Sequence, residues 1–157
     1  MKNRYTRLWM TALLGGLMNS SIAPIASAEQ SSITVNVNGV RSQKGNVMVC
    51  LWTKDNKDFP LCSKAAAFQS TTLKANNSSL VANFKNIPSG EYAVSAFHDE
   101  NADGKLNTNW MGMPKEGIAA TNMANNPNQG RRERPSFDKI KFTLNTSKTI
   151  SLSFMYR

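Results

Sequence analysis

Apolar and polar positions alternate along much of this chain with a period of two. Ile33, Val35 and Val37 interleave with Thr34, Asn36 and Asn38 and stop at Gly39, which predicts a half-buried strand followed by a turn. After Gly45, residues 46–53 are apolar on both alternating sets, with Val47, Val49 and Leu51 on one and Met48, Cys50 and Trp52 on the other. A strand of that kind needs cover on both faces. We therefore expect Phe59-Pro60-Leu61-Cys62 to fold back over the Met48/Trp52 side. Further strands are expected over 71–74, 80–85, 92–98, 137–144 and 149–156, the last two separated by the turn-rich Asn145-Thr146-Ser147. The run Ala65 to Phe68 suffices only for a helical turn.

About seven short strands with turn signals between them, and no amphipathic helix, predict an all-β sandwich with one long loop over 99–134. An outer-membrane barrel does not fit. It needs at least about eight strands of roughly 9–11 residues with lipid-facing alternation, and the loop leaves too little chain. In Ile87-Pro88-Ser89-Gly90-Glu91-Tyr92, Pro88 fixes a turn and Gly90 permits positive φ. Tyr92 then buries its ring and bonds its hydroxyl to nearby backbone, as in the tyrosine corner of Greek-key sandwiches. Gly90 and Tyr92 are thus read as structural.

The N-terminus changes the picture. Lys2, Arg4 and Arg7 precede an apolar stretch from Leu8 to Met18, and Ala26-Ser27-Ala28 supplies a small-x-small cleavage site. Residues 1–28 are expected to be a signal peptide cleaved near Ala28, leaving 29–157 as a single domain that is periplasmic or secreted, with no transmembrane segment in the mature chain. In that oxidising setting Cys50 and Cys62 are expected to form a disulfide, which contributes on the order of 3 kcal/mol. One histidine and two cysteines exclude zinc, haem or triad chemistry that needs several such side chains. The net charge of +9 falls to +6 once the three cations of the signal are removed. Arg131, Arg132 and Arg134 form the one cluster, read first as a solvated loop and alternatively as a contact for an anionic envelope polymer. No nucleic-acid partner is expected.

Candidate chemistry sits in the long loop. Asp99-Glu100-Asn101-Ala102-Asp103-Gly104-Lys105-Leu106-Asn107 follows the start of a calcium loop, in which oxygen ligands at alternate positions converge as the chain bends at the glycine. Asp99, Asn101 and Asp103 would supply side-chain oxygens, Lys105 its carbonyl, and Asn107 a direct or water-mediated contact. The twelfth position is Trp110 instead of a glutamate. Glu116 or a loop carbonyl must therefore complete the shell, or the affinity is weak. The competing reading is a set of Asx turns in which Asp-Gly merely makes the bend. His98 precedes this loop and is expected to bond to loop backbone, the alternative being a general base oriented by Asp99 or Glu100 in a hydrolase. No Gly-x-Ser-x-Gly elbow accompanies it. Trp110, Met111, Met113 and Met123 are expected to pack down over one end of the sandwich, the alternative being an exposed patch for a partner.

Phe97-His98-Asp99-Glu100-Asn101, Asp103-Gly104-Lys105-Leu106, Gly112-Met113-Pro114-Lys115-Glu116-Gly117 and Pro135-Ser136-Phe137, preceded by Ile87-Pro88-Ser89-Gly90-Glu91-Tyr92, resemble the bacterial exported family of unknown function numbered twenty-one forty-one. The resemblance implies a small exported protein with an immunoglobulin-like or prealbumin-like (transthyretin-like) sandwich, and brings no catalytic residue with it. Ala119-Ala120-Thr121-Asn122 departs from the Gly-Phe-Ser-Asn-like stretch expected there. The aspartate loop is also similar to the calcium loops of collagen-adhesin B-type repeats, which supports Asp99, Asn101 and Asp103 as ligands. The expectation is a non-enzymatic binding or accessory module of the cell envelope with an unknown protein or polymer partner, calcium being the one cofactor considered.

Overall fold

The computed structural model describes residues 30–62, 67–123 and 134–157. The expected signal peptide 1–28, residues 65 and 66 of the expected helical turn, and Arg131 and Arg132 lie outside the described residues. Among those described, no helix is long and apolar enough to cross a membrane.

Among the described residues, eight strands form two packed sheets. In the first, β1 (Ser31–Asn38) lies between β4 (Ser79–Ile87), to which it is antiparallel, and β8 (Lys148–Ser153), to which it is parallel. The second has the order β3 (Gln69–Lys74), β2 (Asn46–Trp52), β5 (Gly90–Asp99), β6 (Gly117–Ala120), and β7 (Phe142–Leu144) also pairs with β5. The core between the sheets is filled by the inward residues that alternation predicts: Ile33, Val35 and Val37 from β1, Val47, Val49 and Leu51 from β2, and Val94 and Ala96 from β5. Each large aliphatic side chain so buried contributes roughly 1.5–3 kcal/mol of transfer free energy before entropy is counted.

The outer face of the second sheet is also covered. Cys50, Trp52, Ala93 and Phe97 pack with Cys62, Phe137, Ile140 and Met123 in a second apolar cluster. The segment before Cys62 folds over β2 as expected, with the Trp52 and Phe59 rings edge to face at 5.7 Å and Phe59 on Phe137 at 5.9 Å. The Cys50–Cys62 disulfide ties this cover down, the two Cα atoms being 5.6 Å apart. Ser95 satisfies the polar atoms inside: it accepts from the Trp52 indole N–H at 2.8 Å and donates to the Pro60 carbonyl at 3.1 Å. The tyrosine corner is present, with the Tyr92 hydroxyl donating to the Pro88 carbonyl at 2.9 Å.

Three expectations need correction. The strand over 137–144 is shorter, because α1 (Phe137–Ile140) occupies its first half. Apolar residues there fall at 137, 140, 142 and 144, a helical step of three followed by strand steps of two, and the helical turn buries Phe137 and Ile140 together in the outer cluster. The strand expected over 149–156 ends at Ser153, after which Met155 makes an isolated bridge to Ile118. Finally, the long loop contains β6, whose Gly-Ile-Ala-Ala gives no alternation because three of its four residues are buried. Along β5 it pairs with Ser95–His98, while β7 pairs with Gly90–Tyr92 on the same edge. Thr121 fills the gap between them: its hydroxyl accepts from the Val94 N–H at 2.8 Å and its own N–H donates to the Val94 carbonyl at 2.9 Å.

Candidate functional site

The loop from Glu100 to Glu116 leaves one end of the sandwich, and its root is set by close packing. Gly45 has φ +70°, and a Cβ there would lie 1.8 Å from the Asp99 carbonyl oxygen. A Cβ on Gly117 would lie 2.3 Å from the Tyr156 ring. Both glycines are required for the turn after β1, the end of β5 and the C-terminal segment to meet.

His98 is completely buried at this junction. One ring nitrogen, Nε2, lies 2.8 Å from the Lys44 carbonyl, and the other, Nδ1, lies 2.8 Å from the Tyr156 hydroxyl. A carbonyl only accepts, so Nε2 carries the proton, and Nδ1 then accepts from the tyrosine. That hydroxyl in turn accepts from the Arg41 backbone N–H at 3.1 Å. The Arg41 guanidinium lies over the Tyr156 ring, 4.4 Å from its centroid, and pairs in a fork with the Glu100 carboxylate. Ser42 adds a third donor to Glu100 at 2.8 Å. Arg41 above all, with Ser42 also contributing, holds the Glu100 carboxyl down to about 2.

Asp99 and Glu116 are the other anchors, and both are almost wholly buried. Asp99 accepts backbone N–H groups from Asp103 at 3.1 Å and Gly104 at 2.8 Å. Glu116 accepts those of Glu100 at 3.2 Å and Asn107 at 2.9 Å. Burial pushes the Glu116 carboxyl above its ordinary range, and the charge of Asp99 pushes it further. The Asp99-to-Asn107 stretch thus bends where the calcium-loop pattern places its glycine, with Gly104 at φ +73°.

The expected ligands divide into two groups. Asp99 and Glu116 lie together at the buried root, whereas Asn101, Asp103 and Asn107 meet on the exposed side. There Asp103 accepts the side-chain amides of Asn101 and Asn107, each at 2.9 Å, and the Lys105 backbone N–H at 2.8 Å. These bonds hold the Asp103 carboxyl below its usual range, Asn107 having the largest effect. All these donors are hard oxygens of the type calcium takes, but the amide hydrogens of Asn101 and Asn107 are turned toward Asp103. Among the described residues, no three His, Cys, Asp or Glu side chains converge as a metal group. Arg134 is exposed. An open depression of about 590 Å³ lies alongside, lined by Arg41, Ser42, Lys44, Glu100, Asn101, Asn107, Lys115 and Glu116.

Beyond the root the chain forms a small hairpin. Thr108 and Pro114 bridge, and the Lys115 N–H donates to the Asn107 carbonyl at 2.9 Å. At its end the Asn109 side-chain oxygen accepts the N–H groups of Met111 at 3.0 Å and Met113 at 2.9 Å. Of the four apolar loop residues expected to pack down, Met123 is buried and Met113 half-buried, but Trp110 is 91% exposed and Met111 55%. Asn109 explains the difference, since it organises the turn from inside and leaves the next two side chains outward.

Arg41, Ser42 and Tyr156 were not legible as members of this site. Arg41 and Glu100 are 59 positions apart, and nothing local to either signals the other. The architecture is that of a two-sheet sandwich with a covered outer face and one presented, carboxylate-anchored loop. The chain belongs to the bacterial family described as "Uncharacterized protein conserved in bacteria (DUF2141)", matched over residues 35–151. That span runs from within β1 to within β8 and includes the whole loop. No curated protein and no solved structure gives a significant match to the chain.

Proposed function

We propose that this protein is a non-catalytic exported module of the cell envelope, binding or accessory in role, with the 100–116 loop as its binding element. The observation that carries the reading is the state of His98. Its two ring nitrogens are both engaged by the protein's own groups, and none of its surface meets solvent. A general base must reach a substrate proton, so the hydrolase alternative has little support. The test is a pull-down from envelope extract with the loop intact or replaced by a short glycine linker, alongside fractionation and mass spectrometry of the exported chain. Retention that needs the loop, on a chain beginning at Glu29, is the expected result. Turnover of an ester, amide or glycoside substrate abolished by His98→Ala in a protein that still folds would overturn it.

A second property is supported by the paired burial of Asp99 and Glu116, whose mutual repulsion a divalent cation would relieve. On this reading the loop takes calcium weakly, in the range of about 0.1–1 mM seen for extracellular modules, with Asn101 and Asp103 as exposed ligands. Asn101 and Asn107 must both release their amide hydrogens from Asp103 and turn their amide oxygens inward to join it. Binding heat and a raised melting temperature in millimolar calcium, both reduced in Asp103→Asn, are expected; no heat and no shift would remove calcium from the account.

A further inference from the structure

We infer that the hairpin tip carrying Trp110 and Met111 docks on the headgroup region of an anionic phospholipid bilayer. The inference rests on the reading of the protein as an exported binding module and names the partner of that module's loop.

Three observations converge on the tip. Its shape is preformed: the Thr108 to Pro114 bridge, the Asn109 N–H to Met113 carbonyl bond at 2.8 Å, the Gly112 N–H to Asn109 carbonyl bond at 2.9 Å and the two bonds to the Asn109 side chain hold the turn without any partner. Little ordering entropy is therefore lost when it docks. Its chemistry is apolar and convex, with an indole 91% exposed beside a methionine 55% exposed. A protruding indole with one polar edge suits the interface between headgroups and acyl chains, where tryptophan is enriched in membrane proteins.

Charge supplies the third. Residues 104–115 contain Lys105 and Lys115 and no acidic side chain, and both lysines are exposed. Nearby acids do not oppose them equally: Glu116 is buried and Glu100 is neutralised by Arg41, which leaves Asp103 as the exposed acid near the base of the hairpin. The outward field of the tip is thus cationic, complementary to an anionic leaflet. One indole and a few lysines give weak, reversible, salt-sensitive attachment, unlike the permanent insertion of a spanning helix.

The experiment uses the chain from Glu29, which carries all the described residues and two tryptophans, Trp52 buried and Trp110 exposed. Vesicles of phosphatidylcholine alone and of equal parts phosphatidylcholine and phosphatidylglycerol are compared by co-sedimentation and tryptophan emission. Expected are binding to the anionic vesicles, a blue shift arising from Trp110, and loss of both in high salt. Trp110→Ala should weaken partitioning roughly ten-fold and abolish the shift, since only Trp52 remains to emit. Lys105→Gln and Lys115→Gln should weaken it roughly five-fold each. No binding to anionic vesicles, or binding that Trp110→Ala leaves unchanged in a folded protein, overturns the inference. So does capture of the tip by a protein partner when vesicles are not bound. An exported chain retained on the envelope through its loop but indifferent to vesicles sinks the lipid partner and leaves the module reading standing. A chain that binds vesicles but is never exported sinks the module reading instead.

Discussion

At the root of the 100–116 loop, His98 and Glu100 are held by partners far away in sequence; at its tip, residues 108–114 hold themselves. His98 and Glu100 depend on Arg41, Lys44 and Tyr156, and the close approach of Gly45 to Asp99 joins two separate turns. The tip depends on Asn109 and on a bridge six positions wide, and it leaves Trp110 in water. Stability and presentation are thus divided along one loop. Substitutions at the root should unfold or loosen the protein, and substitutions at the tip should cost nothing but contact with a partner.

The largest effect belongs to Gly45. Gly45→Ala must place a methyl group against the Asp99 carbonyl from a φ of +70°. No flexible side chain is there to yield, so a loss of more than about 3 kcal/mol, or no folded protein, is expected in urea unfolding. Gly104→Ala is the matched control. It has φ +73° with nothing within 4 Å of its Cβ, so it should cost only about 1 kcal/mol of backbone strain. Equal losses at the two sites would mean that conformation alone, and not the approach of Gly45 to Asp99, governs the root.

Next comes Tyr156→Phe. It keeps the ring against Gly117 and Arg41 but removes the hydroxyl that His98 Nδ1 and the Arg41 N–H share. A buried nitrogen left without its donor makes a loss of about 2 kcal/mol the expected result, measured as a lower urea midpoint at unchanged slope.

The sandwich was readable because one-sided burial writes itself as alternation. In β1 every second residue is buried, and the alternation from Ile33 to Asn38 gives the strand's end but misses its first two residues, Ser31 and Ser32. The outer cover on β2 was also readable, because both faces of that strand are apolar and a cysteine on one face has its mate in the segment that folds over it. What escaped is what alternation cannot encode. β6 is a short strand of small, mostly buried residues, and α1 is one helical turn whose second apolar residue, Ile140, also opens the alternation continued by Phe142 and Leu144. Of the site, Asp99 to Asn107 was visible as a spacing of oxygen-bearing residues about a glycine. The Arg41–Glu100–Tyr156–His98 chain was not, since it is assembled by the meeting of three distant turns.

Acid separates the two glutamates of the root with opposite signs. Glu100 is lowered from 4.5 to about 2 by Arg41 first, so its contribution is complete above about 4.5 and fades as the pH falls toward about 2. Glu116 is raised, chiefly by burial; its contribution is present below its unfolded value of 4.5 and is lost as the pH rises through the raised folded value. Glu100→Gln should therefore lower stability by about 1 kcal/mol at neutral pH and flatten the decline between pH 4.5 and 2. A denaturant series at several pH values reads both. An acid decline that persists undiminished in Glu100→Gln would place its origin outside the Arg41 pair.

The smallest expected change in stability is at Trp110, and its smallness is what distinguishes tip from root. With 91% of its surface already in water, the indole gains almost nothing from folding, so Trp110→Ala should leave the urea midpoint within about 0.5 kcal/mol of the parent. Asn109→Ala at the neighbouring position is the informative companion. It removes the acceptor for the Met111 and Met113 N–H groups, so it should release the turn while the root keeps its protection in hydrogen exchange. If Trp110→Ala lowered stability as much as Tyr156→Phe, the indole would have to be packed in solution, and a side chain held for presentation could not be its description.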